Sequence, residues 1–161
     1  MQKASVQVVD AEYPALLRLC RGLRDLNERE IRVLWPDFTP ETLARSIAQD
    51  DYSKVVLVDE SPAVAFGLRE SPPGGDWSYW MFGTNDYRKG VAAACLHVKR
   101  TMIPWVLERG MQKTECKSLA EKGSAEFIER MGGQRVDTAP IGANGEIYWT
   151  YRWTRQQLME A

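Results

Sequence analysis

The chain has 161 residues, of which 44% are hydrophobic and 27% are charged, and its formal net charge is -1. These values are typical of one globular domain with an apolar core. They exclude a disordered chain and a strongly basic surface of the kind that binds nucleic acid or anionic membranes.

The chain contains three well-separated cysteines and a single histidine. An odd number of cysteines inside apolar segments predicts buried, reduced thiols, and no spacing resembles a metal site. The amino terminus lacks the apolar segment of a signal peptide, and no apolar run is long enough to cross a membrane. We therefore expect a cytoplasmic protein, free of metal and membrane contacts, which can still join a larger particle.

The chain before the main sheet predicts one strand and three short helices. Val6–Val9 is a β-branched run and therefore a predicted strand. Pro14 suits the first turn of a helix. Asn27 and Glu30 have the spacing of a capping box that begins a second helix, and Thr39 is the predicted N-cap of a third.

The central part predicts a hairpin, an aromatic strand and a long helix. Lys54–Asp59 and Pro62–Leu68 are the hairpin strands, and Trp77–Phe82 is the aromatic strand. Pro104 should bend the helix that follows, because proline cannot donate to the carbonyl one turn earlier. The predicted buried stripe of this helix is Val91, Cys95, Val98, Met102 and Val106.

The last part predicts a strand over Lys113–Leu119, a helix over Ser124–Met131 and a hairpin formed by 134–139 and 146–153 around Gly142–Gly145. The predicted fold class is α/β (α+β in some schemes), with a mixed central sheet flanked by helices. A single domain spans 1–161. Its parts are a strand with helices over 1–50, the hairpin and the strand–loop–helix–strand unit over 54–119, and the late helix and final hairpin over 124–155.

Aromatic side chains alternate on both faces of two predicted strands, the aromatic strand and the last one. Two explanations stay open: helices cover both faces of the sheet, or the rings form a protein-binding surface. We expect the last strand to lie at an edge of the sheet, where a partner can reach it. Trp149 and Trp153 are the candidate partner-binding residues.

The stretch Tyr87-Arg-Lys-Gly-Val-Ala-Ala stands between the aromatic strand and the long helix. With the order of elements around it, it resembles the GNAT superfamily of N-acetyltransferases. In that superfamily a loop of pattern Gln/Arg-x-x-Gly-x-Gly/Ala opens the central helix, and its backbone N–H groups bind the coenzyme A pyrophosphate. The resemblance implies acetyl-CoA as cofactor, and it implies these cofactor-binding residues: Tyr87, Arg88, Lys89, Gly90, Val91 and Ala92.

Four further stretches resemble a branch of this superfamily found in tailed phages, which includes small internal virion proteins of short-tailed phages. They are Leu23–Ile31, Pro62–Gly67, Trp80–Thr84 and Ser124–Gly133. This resemblance implies a virion or virion-associated component with protein partners. It indicates no nucleic-acid partner.

The loop departs from the superfamily pattern in either alignment. Aligned on Gly90, the Gln/Arg position holds Tyr87; aligned on Arg88, a glycine position holds Val91. A valine side chain hinders the approach of a pyrophosphate to the backbone. Arg88 and Lys89 either pair with phosphate by charge or form a solvated pair where the helix begins. We therefore expect weak or absent acetyl-CoA binding.

The sequence assigns no catalytic residue. The superfamily often places a proton-donating tyrosine on the late helix, where this chain has Phe127-Ile128. Glu115, Glu121 and His97 are candidates for proton transfer, with a surface or structural role as the alternative for each. Two functions stay open: a non-catalytic virion component with an eroded coenzyme loop, which the departures favour, or an active enzyme that moves acetyl from acetyl-CoA to a primary amine of a small molecule or protein.

Overall fold

Seven strands form one mixed sheet in the computed structural model, which describes residues 2–141 and 145–161, with the backbone alone for 138–141. The strands are β1 Val6–Asp10, β2 Tyr52–Val58, β3 Ser61–Ser71, β4 Asp76–Gly83, β5 Lys113–Leu119, β6 Gln134–Ile141 and β7 Glu146–Thr154. Their spatial order is β1-β2-β3-β4-β5-β7-β6. Every neighbouring pair is antiparallel except β4 and β5. The predicted mixed sheet is confirmed.

Seven α-helices flank the sheet within the described residues. They are α1 Tyr13–Arg21, α2 Asp25–Leu34, α3 Pro40–Ala48, α4 Tyr87–His97, α5 Ile103–Glu108, α6 Lys122–Arg130 and α7 Arg155–Glu160. Helix α7 was not predicted, although Thr154 begins it with a capping box to Gln157. In the part of the chain that the structure describes, no helix is long and apolar enough to span a membrane.

Helices cover both faces of the sheet, because side chains alternate along each strand. Val55, Ala65 and Phe82 point to the face that α1 and α3 cover, where they form one buried cluster. Val56 and Val64 point to the face that α4 covers, in a second cluster. The alternating aromatic residues of β4 follow this rule, which confirms the first explanation for them.

The buried face of α4 is turned slightly from the predicted stripe. Gly90 and Ala94 are buried, whereas Val91 and Cys95 are only half-buried. The stripe then continues as predicted through Val98, Met102 and Val106. The shift arises because α4 packs closely on the sheet, and only residues without a large side chain fit at the contact.

A π-helical turn, Val98–Met102, joins α4 to α5 at the place where a bend was predicted. Pro104 lies at the beginning of α5, so its missing N–H group falls among those that a helix leaves unpaired anyway. Across this turn the backbone N–H of Ile103 donates to the oxygen of Val98, in the wider π-helical pattern. The irregular turn therefore lies directly before the proline, where the regular helical pattern was predicted to be disturbed.

Strand β7 is an inner strand, so the prediction that it forms a sheet edge is wrong. It pairs with β5 on one side and with β6 on the other. Trp153 is 7% exposed, and its indole Nε1 donates to the backbone oxygen of Met131 at 3.0 Å. Trp149 is half-buried beneath the guanidinium of Arg135. The predicted turn residues 142–144 lie outside the described part of the chain.

The two parallel strands β4 and β5 separate to form a fork. They pair only over Asp76–Ser78 and Lys113–Glu115. Beyond this point β4 continues to Gly83 and β5 to Leu119 without pairing to each other. The fork leaves backbone groups on its two arms unpaired by the sheet, and these groups need other partners.

Candidate active site

Helix α2 crosses the fork and bonds to both of its arms. The side-chain Oδ1 of Asn27 accepts from the backbone N–H of Gly83 on the β4 arm at 2.9 Å. Oε1 of Glu30 accepts from the backbone N–H of Leu119 and from Oγ of Ser118 on the β5 arm, both at 3.0 Å. One helical turn therefore supplies the partners that the strands lack.

These contacts replace the capping box that Asn27 and Glu30 were predicted to form. The helix begins earlier, at Asp25, and its N-cap is Arg24. The backbone N–H of Arg24 donates to the oxygen of Gly83 at 2.9 Å, which fixes the start of the helix against β4. Asn27 is buried inside the first turns, and its Oδ1 accepts both from the sheet and from Nε of Arg24, the latter at 2.7 Å.

Glu30 is a half-buried carboxyl group with one well-bonded oxygen. Burial raises its pKa above the ordinary value, because the charged form loses hydration. The bonds from Leu119, Ser118 and Asn27 lower the pKa, but burial outweighs them. The second oxygen, Oε2, has only a long contact of 3.4 Å with the amide of Asn27. A carboxyl group with a raised pKa binds a proton more readily than an exposed one does, as a general base has to do.

Two cavities meet at Glu30. The first, which we name the α4-side cavity, has a volume of about 320 Å³. Helices α2, α4 and α6 and both arms of the fork line it through Arg24, Leu26, Asn27, Glu30, Met81, Tyr87, Arg88, Ser118, Glu121, Gly123, Ser124 and Phe127. Its wall carries two guanidinium groups, and that of Arg24 lies 3.8 Å above the ring of Tyr87.

The second cavity, which we name the aromatic cavity, has a volume of about 170 Å³. It is lined by Glu30, Ile31, Leu34, Tyr79, Trp80, Met81, Phe82, Cys116, Lys117 and Ser118. Both cavities share Glu30, Met81 and Ser118. The carboxyl group of Glu30 therefore stands where a molecule in one cavity would meet a molecule in the other.

The hydroxyl group of Tyr87 is a proton donor beside the same carboxyl. Burial raises the pKa of Tyr87 to about 12, despite the opposing charge of Arg24. Its oxygen lies 3.5 Å from Sδ of Met81, and both residues line the α4-side cavity. A tyrosine with this pKa stays protonated at neutral pH and can donate. From the sequence, Tyr87 was predicted only as part of the coenzyme-binding loop.

The predicted phosphate loop at the start of α4 is largely occupied by its own contacts. The N–H groups of Tyr87 and Lys89 donate to the backbone oxygens of Thr84 and Asp86, both at 2.9 Å. The backbone N–H of Asp86 donates to the Thr84 hydroxyl at 3.2 Å. The carboxylate of Asp86 pairs with Lys89 at 3.1 Å. A carboxylate at the positive end of a helix takes the place that a phosphate would favour.

The remaining predicted loop residues divide between the sheet and the cavity. A Cβ at Gly90 would meet carbons of Val56 and Val64 at 3.2 Å, so this glycine allows the helix to approach the sheet. Arg88 is exposed and lines the α4-side cavity. Ala92 is exposed on the same helix. The structure thus brings Tyr87 and Arg88 to the fork and directs Gly90 away from it.

The three residues predicted as candidates for proton transfer lie in different surroundings. Glu115 pairs with Arg152 at 2.9 Å, and Glu121, at the rim of the α4-side cavity, pairs with Arg29. His97 accepts or donates a bond with the Tyr52 hydroxyl at 2.6 Å and lines neither cavity. The position of His97, away from both cavities, therefore agrees with the structural role that was considered as its alternative.

The late helix presents Phe127 to the α4-side cavity, while Ile128 packs against Gly133. At this position of α6, where the superfamily often has a tyrosine, the cavity therefore has an apolar wall. Proton donation at the fork has to come from another element, and Tyr87 is the residue that the geometry offers.

Replacing Glu30 by glutamine should change how stability depends on pH. Because the folded state raises the pKa of Glu30, the neutral form stabilises the fold fully below the ordinary value of 4.5. This contribution is lost as the pH rises through the folded pKa. We expect the unfolding free energy of the wild type to fall relative to Glu30→Gln as the pH rises above 4.5, measured by urea unfolding at a series of pH values.

The control is Glu28→Gln, which removes an exposed carboxylate from the same helix. If both variants change the pH dependence equally, Glu30 does not have the buried environment described here.

The comparisons with known proteins concern the fold. No protein-family model matches the sequence, and no curated protein sequence matches it significantly. A GNAT-family acetyltransferase from Bacillus anthracis superposes with a TM-score of 0.69 at 11% identity, over 96% of this chain and 98% of the other. A spermidine N-acetyltransferase SpeG chimera from Vibrio cholerae and hSSAT gives 0.69 at 12% identity, over 97% and 99%.

A third match contains a bound coenzyme. The RimL ribosomal α-N-protein acetyltransferase in complex with coenzyme A superposes with a TM-score of 0.66 at 10% identity, over 98% of this chain and 97% of the other. None of these three is described as a phage or virion protein. Identities this low establish the fold alone. The chain adopts, over nearly its whole length, the fold of the GNAT acetyltransferases.

Proposed function

We propose that this protein is an acetyl-CoA-dependent N-acetyltransferase whose reaction takes place at the fork between β4 and β5. The observation that carries the proposal is the position of Glu30, a half-buried carboxyl group with a raised pKa that lines both cavities. Transfer of an acetyl group to an amine needs a base at the point where the two substrates meet. Glu30 is that base.

The α4-side cavity fits the thioester arm of acetyl-CoA, because it is about 320 Å³ in volume and reaches Glu30 from the α4 side. The start of α4 is unfavourable for a pyrophosphate, since the negative charge of Asp86 lies there, although its carboxylate makes no capping bond to the helix. The phosphates therefore have to be held by side chains. Arg88 and Arg24, which line the cavity, are the residues that would hold them.

Glu30 accepts a proton from the ammonium group of the acceptor, which frees the nitrogen lone pair. Acetyl-CoA supplies the activated acetyl group as a thioester. As the nitrogen bonds to the acetyl carbon, the bond from that carbon to sulfur breaks. The Tyr87 hydroxyl donates a proton to the departing sulfur, and the second proton of the nitrogen returns through water to the Tyr87 phenolate. Glu30 then releases the first proton to solvent. The products are the N-acetyl amine and coenzyme A.

Arg88→Gln should weaken binding of coenzyme A about threefold to tenfold, since one charge-assisted contact to phosphate is lost. The dissociation constant should also depend less steeply on salt, because a screened charge pair has been removed. Calorimetric titration at two salt concentrations measures both effects. Arg100→Gln, an exposed arginine in the π-turn outside both cavities, is the control. Equal losses in both variants would contradict the assignment of Arg88.

The activity itself is tested by following free thiol released from acetyl-CoA in the presence of small primary amines. We expect release that depends on the amine, on enzyme concentration and on Glu30. Release at the same rate without any amine would indicate hydrolysis and would contradict N-acetyl transfer.

A second candidate function is favoured by the same Asp86 carboxylate, which occupies the helix end where a phosphate is expected. In this proposal the chain is a non-catalytic protein that acts through protein contacts, such as a virion or virion-associated component. The virion role stays a prediction from the sequence resemblance, as does the use of Trp149 as a contact. A protein that neither binds coenzyme A nor releases thiol would favour this candidate.

A further inference from the structure

The aromatic cavity indicates which amines react. Its walls are apolar over most of their area and include the stacked rings of Trp80 and Phe82, whose centroids are 5.0 Å apart. The indole Nε1 of Trp80 donates to Oδ2 of Asp50 at 2.7 Å, so the ring is held in one orientation. A rigid aromatic wall stabilises a flat apolar group.

The charges around this cavity oppose a second positive group on the acceptor. Glu30 is the only carboxylate among the residues that line it. Asp50, which contacts Trp80, is already paired with Arg69. Lys117 is exposed at the cavity and makes no ion pair among the described residues. A polyamine would therefore place its second ammonium near Lys117 with no carboxylate to receive it.

The entrance is also apolar. Leu34, at the end of α2, is 49% exposed and lines the cavity. Exposed apolar side chains around a pocket are typical of a binding site for an apolar ligand. The volume of about 170 Å³ suits a small molecule.

From these features, and resting on the function proposed above, we infer that the acceptor is a small primary amine with an aromatic body and one positive charge. The amine lies at Glu30, the ring stacks against Trp80 and Phe82, and Lys117 excludes polyamines. The reaction is the acetyl transfer described under the proposed function, with the same bonds formed and broken.

The test compares 2-phenylethylamine, ethylamine and spermidine as acceptors at a fixed concentration of acetyl-CoA. We expect kcat/KM for 2-phenylethylamine to exceed that for each of the other two about tenfold or more, since an apolar group in a fitted pocket supplies this much discrimination. Leu34→Asp should remove most of the advantage over ethylamine. Its side chain is exposed, so the variant should fold.

Lys117→Glu should raise kcat/KM for spermidine several-fold relative to kcat/KM for ethylamine. Lys99→Glu is the matched control, because it makes the same change in charge at an exposed site outside both cavities. Equal or better use of spermidine by the wild type would overturn the inference while leaving N-acetyl transfer intact.

Binding supplies a readout that does not depend on turnover. Titration of 2-phenylethylamine should quench the fluorescence of the wild-type protein saturably, and Leu34→Asp should weaken this binding. If no amine is acetylated but this binding is seen, the proposed function fails and the aromatic cavity stands. If 2-phenylethylamine is not preferred over spermidine, the inference is wrong.

Discussion

Glu30→Gln should lower kcat for acetyl transfer by about 10²–10⁴-fold, the usual contribution of a positioned general base. Glutamine keeps the size of the side chain and an oxygen that can accept from Leu119 and Ser118, the two donors of the β5 arm. It cannot accept a proton. The variant should therefore remain folded and bind coenzyme A as the wild type does, while thiol release almost stops.

The pH profile separates this role from a structural one. In the wild type, kcat/KM should rise with pH through the raised pKa of Glu30, because only the ionised carboxylate is a base. In Glu30→Gln that limb should disappear. Glu28→Gln, an exposed change in the same helix, should keep both the rate and the profile. A Glu30→Gln enzyme with an unchanged rate would show that the base lies elsewhere.

Gly90→Asp should destabilise the fold by at least about 3 kcal/mol, since it buries an unpaired charge. A Cβ at this position already meets carbons of Val56, Val64 and Ala63 at 3.2–3.3 Å. Any loss of coenzyme binding in this variant would follow from unfolding. Thermal or urea unfolding measures the effect directly.

Two matched variants locate the cause. Ala92→Asp makes a similar change on the exposed side of the same helix and should change stability by less than about 0.5 kcal/mol. Gly90→Ala should be close to neutral, because the crowding of its methyl group is offset by a helix preference of about 1 kcal/mol over glycine. A stable Gly90→Asp protein that has lost only coenzyme binding would show that Gly90 belongs to a phosphate-binding loop after all.

The periodicity of apolar residues predicted most of the fold. Alternation in Trp77–Phe82 and spacings of three and four through Val98, Met102 and Val106 depend on local geometry, which one sequence contains. The order of the strands in the sheet does not depend on local geometry alone. Whether β7 lies at an edge depends on where β6 pairs, and a short hairpin permits either side.

The candidate site was harder to predict, because its contacts join residues far apart in the chain. Asn27 and Glu30 have the spacing of a capping box, and a local interpretation used both residues there. In the structure their partners are Gly83 and Leu119, which are 56 and 89 residues away. The residue that could have indicated these contacts was Arg24. If α2 begins there, before Asn27, the side chains of Asn27 and Glu30 are free for other partners.

The central claim is that acetyl-CoA enters the α4-side cavity and presents its acetyl group to Glu30. Calorimetric titration of acetyl-CoA into the wild type and into Ser124→Trp tests this most directly, because Ser124 lines that cavity and a tryptophan would fill it. We expect saturable binding of one acetyl-CoA per wild-type chain with Kd below about 1 mM, and no binding to the folded variant. Absence of binding to the wild type, or equal binding to both proteins, would contradict the claim.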